Sequence, residues 1–240
     1  MHEGKGALSH LFSLASGIDS MIVGEDQIIG QLKKTLSEAI VLTALVLLVF
    51  SPAYGKETMV PLKAAELHMT LRDLWVGHIF WVRSVVFAAK SGDTEMTKVA
   101  EENVVKNAKE IAAAVGSFYG QPAGDKLFGL LAGHYGAVKE YLTASLAGSS
   151  EGKGAAVEKL KKNAEEIAIF LNGANPKNWP KDTLVSLLLA HGGHHIAQID
   201  EVMAKNYGAE ATTWNAMVKH IYTIADALAG GIEKQFPKKF

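Results

Sequence analysis

The sequence predicts an all-α protein, an up-and-down helical bundle of the four-helix type, on three observations. Apolar residues recur at i, i+3 and i+4 through most of the chain beyond residue 60, the period of a helix with one buried face. Ala, Leu, Lys and Glu are abundant, and there are only 6 prolines in 240 residues. Each interruption of the pattern carries residues that leave the α region or lack a donor: Ser91-Gly92-Asp93, Tyr119 to Gly124, Gly148 to Gly152, Asn172 to Pro176, and Asn206-Tyr207-Gly208. These breaks set expected helices at 63–90, 97–118, 125–147, 154–172, 181–206 and 211–235. Asp182 behind Pro180 suits a first turn, and Lys234 suits a last turn, both in the sense the helix dipole favours.

Ahead of the bundle lie two unlike segments. Residues 1–38 contain Gly6 to Glu38, GALSHLFSLASGIDSMIVGEDQIIGQLKKTLSE, which reads as a short helix, a turn around Gly17 to Asp19, and a second helix from about Glu25. With its HLF, ASG, D-S-M and G-E-D-Q-I-I-G-Q runs, this segment closely resembles part of the catalytic domain of glutamyl-tRNA reductase. The resemblance implies an active-site role for His10, a substrate-side surface at Ser20, Glu25 and Gln27, and NADPH and tRNA as cofactor and partner of a cytoplasmic enzyme. That chemistry needs a thiolate nucleophile and a dinucleotide-binding βαβ unit. The chain has no cysteine and no G-x-G-x-x-G following a strand. About 40 residues also bury too little to fold alone. The segment is therefore expected to be an inactive enzyme fragment joined to an unrelated protein.

Residues 39–55 come next. Ala39 to Phe50 is AIVLTALVLLVF, uncharged, with Lys33 and Lys34 shortly before it and Ser51-Pro52 after it. A membrane-spanning helix needs roughly 20 apolar residues, and Pro52 stops the run short of that, so no stable membrane span is expected. The length suits the core of a secretory signal, with Ala53 and Gly55 as the small residues before a cleavage site. Export or a periplasmic location of residues 56–240 follows, with a buried core helix in a cytoplasmic protein as the alternative.

Composition narrows the function of the bundle without naming it. A net charge of −1 argues against a nucleic-acid surface, and the lack of cysteine leaves His, Asp and Glu as the strong metal ligands. An internal repeat is visible: Asn107 to Val115 (NAKEIAAAV) aligns with Asn163 to Leu171 (NAEEIAIFL), and Leu127 to His134 aligns with Leu184 to His191. Duplication of an α-hairpin would place His134 and His191 equivalently. A shorter echo pairs Val76-Gly-His-Ile-Phe80 with Val218-Lys-His-Ile-Tyr222.

The histidines carry the functional expectation. His191 and His195 are one helical turn apart, a spacing at which two imidazoles can share a metal. His78, His134 and His220 also lie on or beside apolar stripes, where an imidazole is costly to bury unpaired. Gly192 and Gly193 suggest close approach by a neighbouring helix or ligand. Counting about Tyr207 puts His195 level with His220, and counting through the shorter loops puts His78 near His134. His191-Gly-Gly-His-His-Ile-Ala-Gln198 resembles the histidine helix of DinB-like bundles, many of which bind a divalent metal through three histidines; here Ile196 stands where that motif has arginine. The Leu71-Arg-Asp-Leu-Trp75 start and the Lys234-Gln-Phe-Pro237 ending also look like those of a family of exported helical proteins, which implies a fold and no activity. Three readings follow. One is an exported bundle binding a small ligand or a divalent metal (zinc, iron or nickel) through His191 and His195, with His134, His78 or His220 as third ligand. The second is a reductase-related protein, and the third is a structural bundle whose histidines are core residues.

Overall fold

The computed structural model describes residues 62–240, and the segments discussed above at 1–38 and 39–55 lie outside them. Six helices follow one another: α1 Leu62–Ser91, α2 Thr94–Tyr119, α3 Gln121–Leu146, α4 Ser150–Ala174, α5 Lys181–Met203 and α6 Tyr207–Gln235, with a 3₁₀ turn at Pro237–Lys239. No strand occurs among the described residues. No helix there is long and apolar enough to cross a membrane.

Helix starts fall three or four residues earlier than expected at α2, α3, α4 and α6. Their first turns are polar or glycine-bearing and read as loop, yet three of them are capped. Asp93, Ser149 and Asn206 accept hydrogen bonds from Met96, Gly152 and Ala209 amides at 2.9, 3.1 and 3.2 Å. Each cap satisfies a donor that the first turn leaves orphaned. The fourth, α3, begins with Pro122 in its first turn, where a missing N–H costs nothing. Helix α5 stops at Met203, ahead of the expected 206, because Lys205 turns into the left-handed region at φ 56°.

Each helix packs on its neighbours in sequence, α6 also packs on α1, and α1, α3 and α5 approach one another inside. The result is a ring of three antiparallel hairpins, α1–α2, α3–α4 and α5–α6, with the first helix of each turned inward. The core repeats with it. Leu71, Leu127 and Leu184 are equivalent and buried, as are Ile111, Ile167 and Ile224 on the outer helices, and Ala112, Ala168 and Ala225 beside them. The repeat seen in the sequence as two units thus has three, with one extra residue before the third. His220 belongs with Asn107 and Asn163 in this alignment, so its likeness to the stretch around His78 is not part of the repeat.

The extra residue falls in the link from α4 to α5, which is tied down on α6. Trp179 is 1% exposed and its indole N–H donates to the Ala227 carbonyl at 3.0 Å. Asn175 donates to the Gly231 carbonyl at 2.8 Å. Gly231 makes this possible: a Cβ there would lie 1.9 Å from Trp179 Nε1. Gly231→Ala is therefore expected to destabilise the bundle by about 2–4 kcal/mol, combining overpacking with a lost hydrogen bond. Gly230→Ala, whose Cβ would meet nothing within 4 Å, is the matched control. Denaturant midpoints of the two variants check the expectation, and equal midpoints would refute it.

Candidate metal centre

The inward helices carry the site. One turn below the layer of Trp75, Leu131 and Leu188, the repeat places His78, His134 and His191 on α1, α3 and α5, all buried. In the next layer two hairpins supply Val82 and Val138, while the third supplies His195. Three imidazoles thus come from the repeat and a fourth from the departure of α5 from it.

One ring nitrogen from each of His78, His134, His191 and His195 can be chosen so that all four atoms lie within 4.8 Å of one another. His191 Nε2 and His195 Nε2 are 3.2 Å apart. Two nitrogens bound tetrahedrally to a zinc-sized ion at 2.0–2.1 Å would be about 3.3 Å apart. The helix therefore already holds this pair near the required spacing. His78 Nε2, His134 Nε2 and His191 Nδ1 are buried with no hydrogen-bond partner, a costly arrangement for polar atoms. Trp75 Nε1 is likewise buried and unpaired, and its ring meets His78 and His191 edge-on, with centroids 5.8 and 6.4 Å away.

The electrostatics follow from crowding four bases in a dry core. Burial pushes His78 down to about 3, helped by nearby His134. Burial takes His134 down to about 4, opposed by a hydrogen-bonding interaction with the Asn163 side chain. His191 is held well below the ordinary histidine range by burial and then by His195 and its neighbours, and His195 by burial and then by His78 and His134. All four are neutral at pH 7, the state in which imidazole binds metal. The donor set is all nitrogen, which suits zinc, copper, iron or nickel over calcium or magnesium.

His220 does not join the four. It is half-buried on outer helix α6, and its Nε2 donates to the Leu187 carbonyl at 2.9 Å. Since the turn centres on Lys205 and Asn206, before Tyr207, His220 lies level with His191 and not His195; the two rings are 6.5 Å apart and nearly parallel. His194 is half-buried beside His220, outside the cluster. Nor do Gly192 and Gly193 mark a close approach, for a Cβ at either would meet nothing within 4 Å. Among the described residues no carboxylate joins the four either. Asp226 pairs with Arg72, and Glu201 accepts from Thr213. Glu210, buried at 1% exposure, is gripped by Arg83 on both oxygens and by Gln198 of α5. Sequence periodicity missed Trp75 and the buried asparagines Asn107 and Asn163 as neighbours of the site. The signal available for the asparagines was their recurrence in the repeat.

The residues implied by the N-terminal resemblance, His10, Ser20, Glu25 and Gln27, lie outside the described residues. Comparison with known proteins bears on that segment. Residues 1–46 match the family model described as glutamyl-tRNA(Glu) reductase, N-terminal domain. The chain is 81% identical over 36 residues to glutamyl-tRNA reductase of Methanoregula boonei, covering 15% of this chain and 8% of that protein. It is 71% identical over 31 residues to that of Methanospirillum hungatei JF-1, covering 13% and 7%. It is 35% identical over 128 residues to that of Nitratidesulfovibrio vulgaris, covering 49% and 29%. The chain thus spans less than a third of the length of each of these relatives. No solved structure matches it. Its N-terminal stretch is a glutamyl-tRNA reductase-like segment.

Proposed function

We propose that residues 56–240 form an exported metal-binding bundle that holds one divalent transition metal, zinc, iron or nickel, on His78, His134, His191 and His195. The observation that carries the metal reading is the convergence of four buried imidazoles, three of them with an unpaired buried nitrogen. Held on the His191–His195 Nε2 pair, a metal could also satisfy the bare Nε2 atoms of His78 and His134. Four protein ligands make a closed coordination sphere, the kind that holds a metal in place, whereas a hydrolytic site keeps a position open for water. Bound there, the ion would join α1, α3 and α5. The resemblance of the α5 histidine motif to DinB-like bundles supports the same reading. Export rests on the apolar run Ala39 to Phe50 and on Ala53-Tyr54-Gly55, with cleavage near Gly55.

Elemental analysis of untagged protein from fractionated cells tests both parts. One metal per chain is expected, and none in the His191→Ala/His195→Ala double variant. At free metal a thousandfold above its Kd, binding stabilises by about 4 kcal/mol, so chelation should lower Tm by roughly 10 °C. Metal-free wild type that gains nothing from zinc, iron or nickel would make these core histidines of a structural bundle. Intact mass of the same sample should begin near Lys56, and a Met1 terminus in the cytoplasmic fraction would remove the export proposal.

Acid should unfold the metal-free bundle early. His78 and His134 titrate near 3 and 4 when folded, against about 6.5 unfolded. Between those values the unfolded chain binds more protons, so their contribution is complete above about pH 6.5 and falls away as pH drops toward 3–4. Denaturation midpoints measured from pH 7.5 to 4 should decline steadily, and bound metal should hold the midpoint to lower pH. A flat profile in the metal-free protein would contradict neutral burial.

The N-terminal match favours a second reading, a glutamyl-tRNA reductase-related protein of tetrapyrrole biosynthesis. The chain contains no cysteine for the acyl transfer step. NADPH oxidation with glutamyl-tRNA is therefore expected at background level, and turnover abolished by His10→Ala would promote this reading over ours.

A further inference from the structure

The threefold repeat gives the bundle three equivalent seams, where the outer helix of one hairpin meets the inner helix of the next: α2 on α3, α4 on α5, and α6 on α1. Their registers correspond, since Thr94, Ser150 and Tyr207 each open an outer helix. Two of the seams are filled by side chains. In the α6–α1 seam Tyr207 stacks on Phe87 with ring centroids 6.2 Å apart. The Arg83 guanidinium there lies 4.9 Å from the Phe87 centroid and 5.0 Å from that of Trp214 while it holds Glu210. In the α4–α5 seam Lys153 pairs with Asp200 at 2.6 Å, and the Tyr141 hydroxyl donates to the same carboxylate at 2.9 Å.

The α2–α3 seam departs from this. In the register of the repeat, Thr94 stands where Tyr207 does, Thr97 where Glu210 does and Thr143 where Phe87 does, while Lys139 keeps the place of Arg83. Two rings and a carboxylate have thus given way to threonines. Thr97 and Thr143 donate their hydroxyls to the backbone carbonyls four residues back, of Asp93 and Lys139, so neither proton is used across the seam. Lys139 pairs one turn further along α2, with Glu101 at 2.7 Å. At the level of Thr97 a cavity of about 410 Å³ opens, within the size range of small-ligand pockets. The core residues Val85 and Leu142 give it an apolar wall, and Lys98 and Lys139 give it two cations.

We infer that the α2–α3 seam binds a small aromatic carboxylate, which supplies from outside the chain what Phe87, Tyr207 and Glu210 supply within the α6–α1 seam. Its ring takes the place of those two rings, against Val85 and Leu142, and its carboxylate takes the place of Glu210, opposite Lys139. A lysine ammonium has three donors, and Glu101 occupies one of those on Lys139. Two lysines against one glutamate leave the cavity net positive, which favours an anion over a neutral or cationic ligand. A ring beside Lys139 would also repeat the contact that Arg83 makes with Phe87. No histidine of the cluster lines this cavity, so the inference is independent of the metal reading.

Titration of the full chain with 3-phenylpropionate, followed by calorimetry and by the amide shifts of Thr97 and Thr143, tests it. One equivalent should bind saturably. Lys139→Gln should weaken binding about tenfold or more, and so should replacing the probe by 3-phenylpropanol, which has the ring without the charge. Hexanoate, which has the charge without the ring, should also bind about tenfold more weakly. Thr97→Glu/Thr143→Phe, which copies the α6–α1 seam, should fill the cavity and abolish binding, and Thr143→Phe alone carries the same expectation if the double variant does not fold. Absence of saturable binding, unchanged affinity in Lys139→Gln or in a folded filling variant, or equal affinity for hexanoate or 3-phenylpropanol would overturn the inference.

Discussion

Four uncharged imidazoles sharing one dry point in the core set the terms for the rest of the bundle. A protonated histidine there would face three others across a few ångströms with little water to screen it. The surrounding layers keep that point dry: Trp75, Leu131 and Leu188 on one side, Val82 and Val138 on the other. Among the described residues the one fully buried charge lies on α6, where Glu210 and Arg83 neutralise each other and Gln198 completes the set. The polar groups of the core are thus sorted by layer, and the layer of bases contains no acid. A cation placed there would be neutralised by no protein charge, so nitrogen ligation alone would have to offset its lost hydration.

Repetition and its breach divide the labour. The threefold pattern explains why three histidines meet, since equivalent positions on α1, α3 and α5 must converge wherever the three inner helices converge. It does not explain His195, which replaces the valine of the other two hairpins. A symmetric ring would offer three ligands in a plane-like set; the α5 substitution adds the fourth from one side and gives the site a direction.

Much of this was legible in the sequence. The breakers located every turn, and the polar caps Asp93, Ser149 and Asn206 account for three of the helix starts that moved. His191 and His195 could be paired because a helix fixes i and i+4 without reference to anything else. His78 and His134 followed from apolar stripes. The error at His220 has a physical source: inner and outer helices both carry apolar stripes, and nothing in a single helix says which of its neighbours lies at the centre. Loop register compounded it, because the left-handed residue Lys205 ends α5 early and slides α6 along it by about a turn. Half of the third hairpin was legible, since Leu184 to His191 aligns with Leu127 to His134 across the added residue; the equivalence of α6 was hidden by the Asn-to-His exchange at 220, and that of α1 went unrecognised.

The closure of the ring by α6 on α1 has a consequence in time. The helices that bear the four histidines, α1, α3 and α5, are all synthesised before α6, and α6 is the wall that completes the enclosure. During synthesis there is an interval in which the ligands exist and the barrier does not. An ion captured in that interval would be sealed in by the last helix, and its later exchange would have to wait for α6 to detach, tying residence time to the unfolding rate of one element rather than to the strength of the bonds at the centre.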